Sequence, residues 1–303
     1  MIPDVSPDLP SRGWRMSLAL LGRLPQAALS RGLGHLADVH IPRSLRAPIL
    51  GRVARTLGMD LGEAARPLEE YSSLNELFVR ELKPGARTWP HDPRTVASPV
   101  DGILGQLGRI DDGRLIQAKG RYYRAADLLD GDDRHAAERY RNGTFITIYL
   151  SPRHYHRIHS PCEGTITAAW HVPGALLPVN EPAVMHVDNL FPRNERLVCA
   201  MDSAFGEVAV VAVGAYNVGR ISAAFDRGWS GVKGRAWVTN RPGGAAVQAR
   251  RYAPPIPVAQ GAEIMAFHLG STVVLLVERG VAIADSMIAG REVRMGEVIA
   301  RAG

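Results

Sequence analysis

The chain has 303 residues, a length for one or two domains with a full hydrophobic core. At 46% hydrophobic and 22% charged it is neither disordered nor collagen-like, and its 31 Gly and 21 Pro favour a turn-rich, β-containing body over a helical bundle. The net charge of +6 is concentrated: residues 1 to 59 hold Arg12, Arg15, Arg23, Arg31, Arg43, Arg46, Arg52 and Arg55 against Asp4, Asp8 and Asp38. Such a segment points to an anionic partner, and without RNA-binding or zinc motifs an acidic membrane surface fits better than nucleic acid. Cys162 and Cys199 are too few for a disulfide framework and fit a reducing compartment. No apolar run reaches the roughly 18 residues of a spanning helix, and no signal peptide is recognisable, so a soluble or peripheral, cytoplasmic protein is expected.

From Trp14 to Leu57 the pattern is helical and broken by prolines. Trp14, Leu18 and Leu21 share one face; Pro25 opens a second helix with Leu29, Leu33 and Leu36; Leu45, Ile49, Val53 and Leu57 line a third. A basic amphipathic set of this kind either lies in a membrane interface or caps the core. Tyr71 to Leu82 reads as a further helix, and Lys83-Pro84-Gly85 marks a boundary, giving a helical region 1–82 and a β-rich region 83–303. In the second region Ile103–Ile110 and Leu115–Ala118 flank an Asp112-Gly113 hairpin turn, and Thr144–Leu150, Glu207–Ile221 and Thr272–Glu278 are strand candidates. Ala125–Leu129 and Ala136–Arg141 read as short helices, and Asp226 to Ala259 as long loops and short edge strands. The Gly-x5-Gly texture of Gly290 to Gly296 hints at a barrel-sandwich-like body. The fold class expected is α+β.

Three constellations carry chemistry. Ser151-Pro152-Arg153-His154-Tyr155-His156-Arg157-Ile158-His159 follows a strand candidate and places three imidazoles at its mouth. In an extended segment His154 and His156 share a face, which reads as a His-x-His metal pair, as two proton-transfer roles, or as ordinary hydrogen-bonded histidines. Ser98-Pro99-Val100-Asp101-Gly102 is a turn whose Asp101 either forms an Asx turn or orients a histidine. Leu269-Gly270-Ser271-Thr272-Val273 opens a strand; glycine before serine permits close approach of the hydroxyl to the preceding carbonyl, which suits an intramolecular acyl shift. A hydrolase nucleophile elbow is disfavoured, since G-x-S-x-G is missing.

These motifs, with Pro161-Cys162, Leu190-Phe191-Pro192-Arg193-Asn194-Glu195-Arg196, Leu74-Asn75-Glu76-Leu77-Phe78-Val79-Arg80 and Gln117-Ala118-Lys119-Gly120, together resemble phosphatidylserine decarboxylase in its bacterial membrane-associated form, from roughly Leu24 to the C-terminus. The resemblance implies a self-processing proenzyme. Ser271 attacks the Gly270 carbonyl, elimination releases a β chain 1–270, and the α chain 271–303 begins with a pyruvoyl cofactor derived from Ser271. It implies a triad of Asp101, His159 and Ser271 for this step, with His159 as base and Asp101 as its orienter, and His156 for proton transfer in decarboxylation. The pyruvoyl carbonyl would form a Schiff base with the amine of phosphatidylserine and yield phosphatidylethanolamine and carbon dioxide. No metal is implied; a homodimer at the cytoplasmic face of the cell membrane is. Met265-Ala266 and Tyr216-Asn217 depart from the family pattern, and His154 reads as a surface position. The alternative class is a metal-dependent hydrolase using His154 and His156. A carrier module is disfavoured, since no Lys is placed for attachment.

Overall fold

The computed structural model of this chain describes residues 26–129, 138–215, 220–226, 228–229, 239, 246–268 and 271–303. The helix expected around Trp14, Leu18 and Leu21 lies outside them, as do Tyr216, Asn217 and Gly270. Two helices come first, α1 (Gln26–Ala37) and α2 (Arg43–Leu57), the latter closed by Gly58 in the left-handed conformation. Leu50 and Ala54 of α2 pack with Met59, Tyr71 and Leu77 into a small core of their own. Leu45 and Ile49, on the apolar stripe read as facing either the core or a membrane interface, are exposed. Only one side of α2 meets the 59–77 segment, and that side is set by Leu50 and Ala54.

The helix expected over Tyr71 to Leu82 is a short one, α3 (Leu74–Phe78). Ser73 caps its start by accepting the Glu76 N–H, and the Glu76 carboxylate reaches back to the Ser72 N–H at 2.6 Å. Beyond Val79 a competing partner takes the backbone: Ala65 N–H donates to Glu81 O and Lys83 N–H to Glu63 O, so the chain leaves the helix and pairs in extended form.

The body is built on an open, antiparallel eight-stranded sheet. In spatial order its strands are β11 (Gln248–Val258), β7 (Gly164–Val172), β8 (Arg196–Ser203), β9 (Gly206–Val213), β13 (Thr272–Val277), β5 (Thr144–Tyr149), β2 (Gly102–Arg109) and β15 (Glu292–Val293). Its edges, β11 and β15, do not pair with each other, so the sheet does not close into a barrel. The inner strands β9 and β13 read VAVV and VVLLV and are wholly buried, as β-branched runs covered on both faces require. Two three-stranded sheets flank it: β1 (Thr95–Ala97), β16 (Val298–Ala302) and β14 (Val281–Ile283); and β10 (Ile221–Ala223), β12 (Glu263–Phe267) and β6 (Arg157–His159). The chain is therefore mixed and strand-rich, with one large core in the β body.

Two expectations about strands need correction. The Asp112-Gly113 turn forms, with positive φ at both residues, but the hairpin closes only at Asp111 and Arg114. Past it β2 pairs with β5, and β3 (Arg114–Ala118) pairs with β4 (Arg121–Arg124). The 226–259 region also holds more than loops and short strands, since β11 runs for 11 residues. Its prolines are tolerated because β11 is an edge strand whose outer side needs no ladder N–H, and its register shifts between Arg251 and Ile256.

Candidate active site

Ser271 is the residue directly before β13, the strand held by β5 on one side and β9 on the other. Its carbonyl accepts the Leu150 N–H at 2.7 Å, and its hydroxyl is buried with no hydrogen-bond partner among the described residues. From Leu150 the chain runs through the histidine segment to His156, whose carbonyl accepts the Phe267 N–H at 2.9 Å. These two backbone bonds tie the two ends of the 151–155 segment to Ser271 and Phe267.

The histidine segment is a turn and not an extended strand, as His154 N–H donates to Ser151 O. His154 and His156 therefore do not share the extended face that the alternative metal-pair reading requires. His154 is buried, not a surface residue, and its Nδ1 accepts the Ser151 N–H at 3.0 Å. His156 is wholly buried, its ring meets the edge of Phe78 with centroids 5.2 Å apart, and among the described residues neither ring nitrogen has a hydrogen bond of good geometry, although the His154 backbone favours its protonated form. Burial, reinforced by the nearby Arg80 charge, pushes its pKa down to about 3, so the ring is neutral. Among the described residues no group of three or more His, Cys, Asp or Glu side chains could hold a metal ion, and the metal-hydrolase alternative has no support.

His159 closes β6. Its Nδ1–H donates to Gly261 O at 2.7 Å, which leaves Nε2 as the acceptor for the Tyr155 hydroxyl at 3.1 Å. Burial lowers its pKa, with Arg157 acting in the same direction, and so favours the neutral form. Asp101 sits elsewhere in the network. Its carboxylate takes Arg87 Nε at 3.0 Å, a second N–H of the same guanidinium, and the Met295 N–H at 2.8 Å. Arg87 also reaches Glu63 at 2.8 Å. Burial works against the Arg87 charge, but its two carboxylate partners outweigh that and hold its pKa above the ordinary value. Asp101, His159 and Ser271 are all in buried or half-buried positions of this region, yet no hydrogen bond joins one to another. Asp101 acts on His159 through space, its charge favouring the imidazolium.

The surroundings explain the remaining motifs. Gly102 follows Asp101 because a Cβ there would stand 2.7 Å from Tyr149 O. The Ser98-to-Gly102 turn is clasped from the far side of residue 271: Ser98 N–H donates to Glu297 O, and Gly296 N–H to Ser98 O. Asn194 donates to Leu177 O and Gly214 O and accepts the Leu177 N–H, while Arg196 donates to the carbonyls of Leu128, Asp127, Pro192 and Asn194. That motif is scaffolding for the sheet's approach to the site. Arg87, Tyr155 and Gly261 were not anticipated, since their roles depend on contacts between distant parts of the chain. Arg80 and Phe78 lay inside a motif noted in the sequence but given no task.

A family model described as phosphatidylserine decarboxylase matches residues 74–301. The phosphatidylserine decarboxylase proenzyme of Anaeromyxobacter sp. (strain K) is 45% identical over 284 residues, covering 93% of this chain and 97% of that protein. Those of Marinobacter nauticus and Stenotrophomonas maltophilia are each 40% identical, over 91% and 94% of this chain and 94% and 99% of theirs. On these matches the chain belongs to the phosphatidylserine decarboxylase family.

Proposed function

We propose that the chain is a self-processing, pyruvoyl-dependent decarboxylase that converts phosphatidylserine to phosphatidylethanolamine and carbon dioxide. The observation that carries this reading is Ser271, a buried hydroxyl with no hydrogen-bond partner among the described residues, at the head of a central strand whose neighbour β5 leads directly into the histidine segment. An orphaned hydroxyl loses no hydrogen bond when the residue becomes a ketone, so the site fits a pyruvoyl group made from Ser271. In self-cleavage Ser271 Oγ adds to the Gly270 carbonyl carbon and the peptide nitrogen leaves, giving an ester. Loss of the residue 271 Cα proton then expels residues 1–270 as a carboxylate, and water replaces the nitrogen of the resulting dehydroalanine as ammonia departs. His159 serves as base through Nε2, which carries the lone pair because Nδ1–H is bound to Gly261 and which must exchange the Tyr155 hydroxyl for that of Ser271, and Asp101 stabilises the resulting imidazolium through space.

In the decarboxylation the pyruvoyl carbonyl supplies the electron sink that no ordinary side chain provides. His156 is the candidate to deliver a proton to the carbon that loses carbon dioxide, and it can be charged only once a bound anion offsets the burial and the Arg80 charge that keep its ring neutral. The membrane reading is supported by exposed Leu33, Leu36, Val39, Leu45 and Ile49 on and between α1 and α2, interspersed with exposed Arg43, Arg52 and Arg55. No helix among the described residues is long and apolar enough to cross a membrane. An enzyme docked at the cytoplasmic face by this surface meets its lipid at the interface.

The test is the denatured intact mass of the purified protein beside Ser271→Ala, followed by turnover of short-chain phosphatidylserine. Two fragments dividing after Gly270, a single chain in the variant, and release of phosphatidylethanolamine are expected. A single uncleaved wild-type chain would remove the cofactor and the reading with it.

A further inference from the structure

Arg80 ends the Leu74-to-Arg80 motif and is 3% exposed, and neither its Nε nor its Nη1 has a hydrogen-bond partner. No carboxylate pairs with it among the described residues. Of the ten buried side-chain polar atoms left without a partner among the described residues, five belong to Tyr71, Arg80 and His156. The three are neighbours: Arg80 acts on the charge state of His156, Tyr71 bears on Arg80, and Phe78 of the same motif packs on the His156 ring. An isolated buried guanidinium is costly, and such a group persists in a fold when something else supplies its anion.

Resting on the decarboxylase reading above, we propose that the unpaired guanidinium of Arg80 is the subsite for the phosphodiester of the lipid headgroup. Phosphatidylserine offers two anions. A cation on the carboxylate would stabilise the ground state more than the transition state, because that charge drains away as carbon dioxide forms. The phosphodiester keeps its charge throughout, so holding it costs the chemical step nothing. Geometry agrees, since only a methylene and an ester oxygen separate the reacting carbon from phosphorus, and Phe78, two residues before Arg80, packs on the His156 ring.

Binding of dihexanoylphosphatidylcholine, which has the phosphodiester but neither a carboxylate nor a reactive amine, is measured by calorimetry on cleaved wild-type protein and on Arg80→Gln and Arg80→Lys. N-acetylserine is the carboxylate probe and inorganic phosphate the free-anion probe. Turnover of dihexanoylphosphatidylserine is then measured per cleaved chain. The proposal expects Arg80→Gln to weaken phosphatidylcholine binding by about tenfold or more, to raise KM similarly, and to change kcat much less. Arg80→Lys should be intermediate, and it carries the same comparison if Arg80→Gln does not fold. Wild-type affinity for phosphatidylcholine well above that for inorganic phosphate assigns the subsite to the lipid. Equal affinities, unchanged phosphatidylcholine binding in both variants, or selective loss of N-acetylserine binding would overturn it. A wild-type protein that binds phosphatidylcholine through Arg80 but does not turn over phosphatidylserine would refute the decarboxylase reading and leave the phosphodiester site standing.

Discussion

Replacing Arg87 by Met tests whether the pairing that holds Asp101 is a real constraint. The Arg87 side chain is 7% exposed and its partners are only slightly more open, at 12% for Asp101 and 24% for Glu63. Breaking a fully buried pair by removing one member costs ~3–5 kcal/mol; here Asp101 keeps the Met295 N–H and Glu63 retains some solvent, so ~3 kcal/mol is the expectation. Unfolding entropy of about 2.1 cal/mol/K per residue gives ~0.6 kcal/mol/K for the whole chain, hence a fall in midpoint of ~5 °C. The measurement is thermal unfolding in a Ser271→Ala background, so that cleavage does not enter. Asp101→Asn and the double variant complete a cycle, in which the double loss should fall short of the sum by ~1–3 kcal/mol because the two residues touch. A midpoint shift below ~1 °C in Arg87→Met, or strict additivity, would refute the reasoning. With Ser271 restored, Arg87→Met should also slow self-cleavage, followed by the appearance of the smaller fragment on denaturing gels.

Three further outcomes are expected. The folded-state pKa of His156, about 3, lies below the ~6.5 of an exposed imidazole, so the unfolded chain binds a proton there that the folded chain refuses. Its contribution to stability is complete above ~6.5 and is lost as pH falls toward ~3, by at most ~1.4 kcal/mol per pH unit. His156→Gln in the Ser271→Ala background should therefore flatten the midpoint against pH across that window, and an unchanged slope would contradict the assignment. After cleavage, chains 1–270 and 271–303 should elute together from a sizing column in buffer and separate only in denaturant; separation in buffer would contradict the strand pairings. Leu36→Glu with Ile49→Glu, both at exposed positions, should reduce sedimentation with anionic vesicles several-fold while leaving the unfolding midpoint nearly unchanged. Equal sedimentation would show that α1 and α2 do not dock the protein.

Much of the β body was legible because its signals are local. Thr144 to Tyr149 and Thr272 to Val277 are β-branched runs that no helix would prefer, and both are inner strands. What failed depended on distant partners. The Tyr71-to-Leu82 periodicity is helical, but residues 63–65 claim the backbone of 81–83. The apolar stripe of α2 was correctly read as amphipathic, while which face is covered depends on Tyr71 and Leu77. At the site, Ser271, His156, His159 and Asp101 stand out in local motifs, while the roles proposed for them come from what the family resemblance implies. That Asp101 answers to Arg87 and His159 to Tyr155 and Gly261 was not, since neither pairing is written in any local pattern.

The position of Ser271 reconciles two demands that oppose each other. An acyl shift needs a serine whose hydroxyl reaches the carbonyl before it, and glycine at 270 removes the Cβ that would obstruct that approach. A reactive group formed at a newly cut chain end needs the reverse, a backbone that stays put, because misplacement by about 1 Å costs on the order of a hundredfold in rate. From Thr272 onward the chain is paired with Tyr149 on one side and Val213 on the other, and the Ser271 carbonyl is already held by Leu150. The same fragment supplies β16 to the sheet with β1, β15 to the edge of β2, and the Met295 N–H to Asp101. Cutting the Gly270-Ser271 bond therefore removes one covalent link and none of these contacts, so the new end inherits the rigidity of a central strand. A serine in a surface loop would satisfy the first demand only.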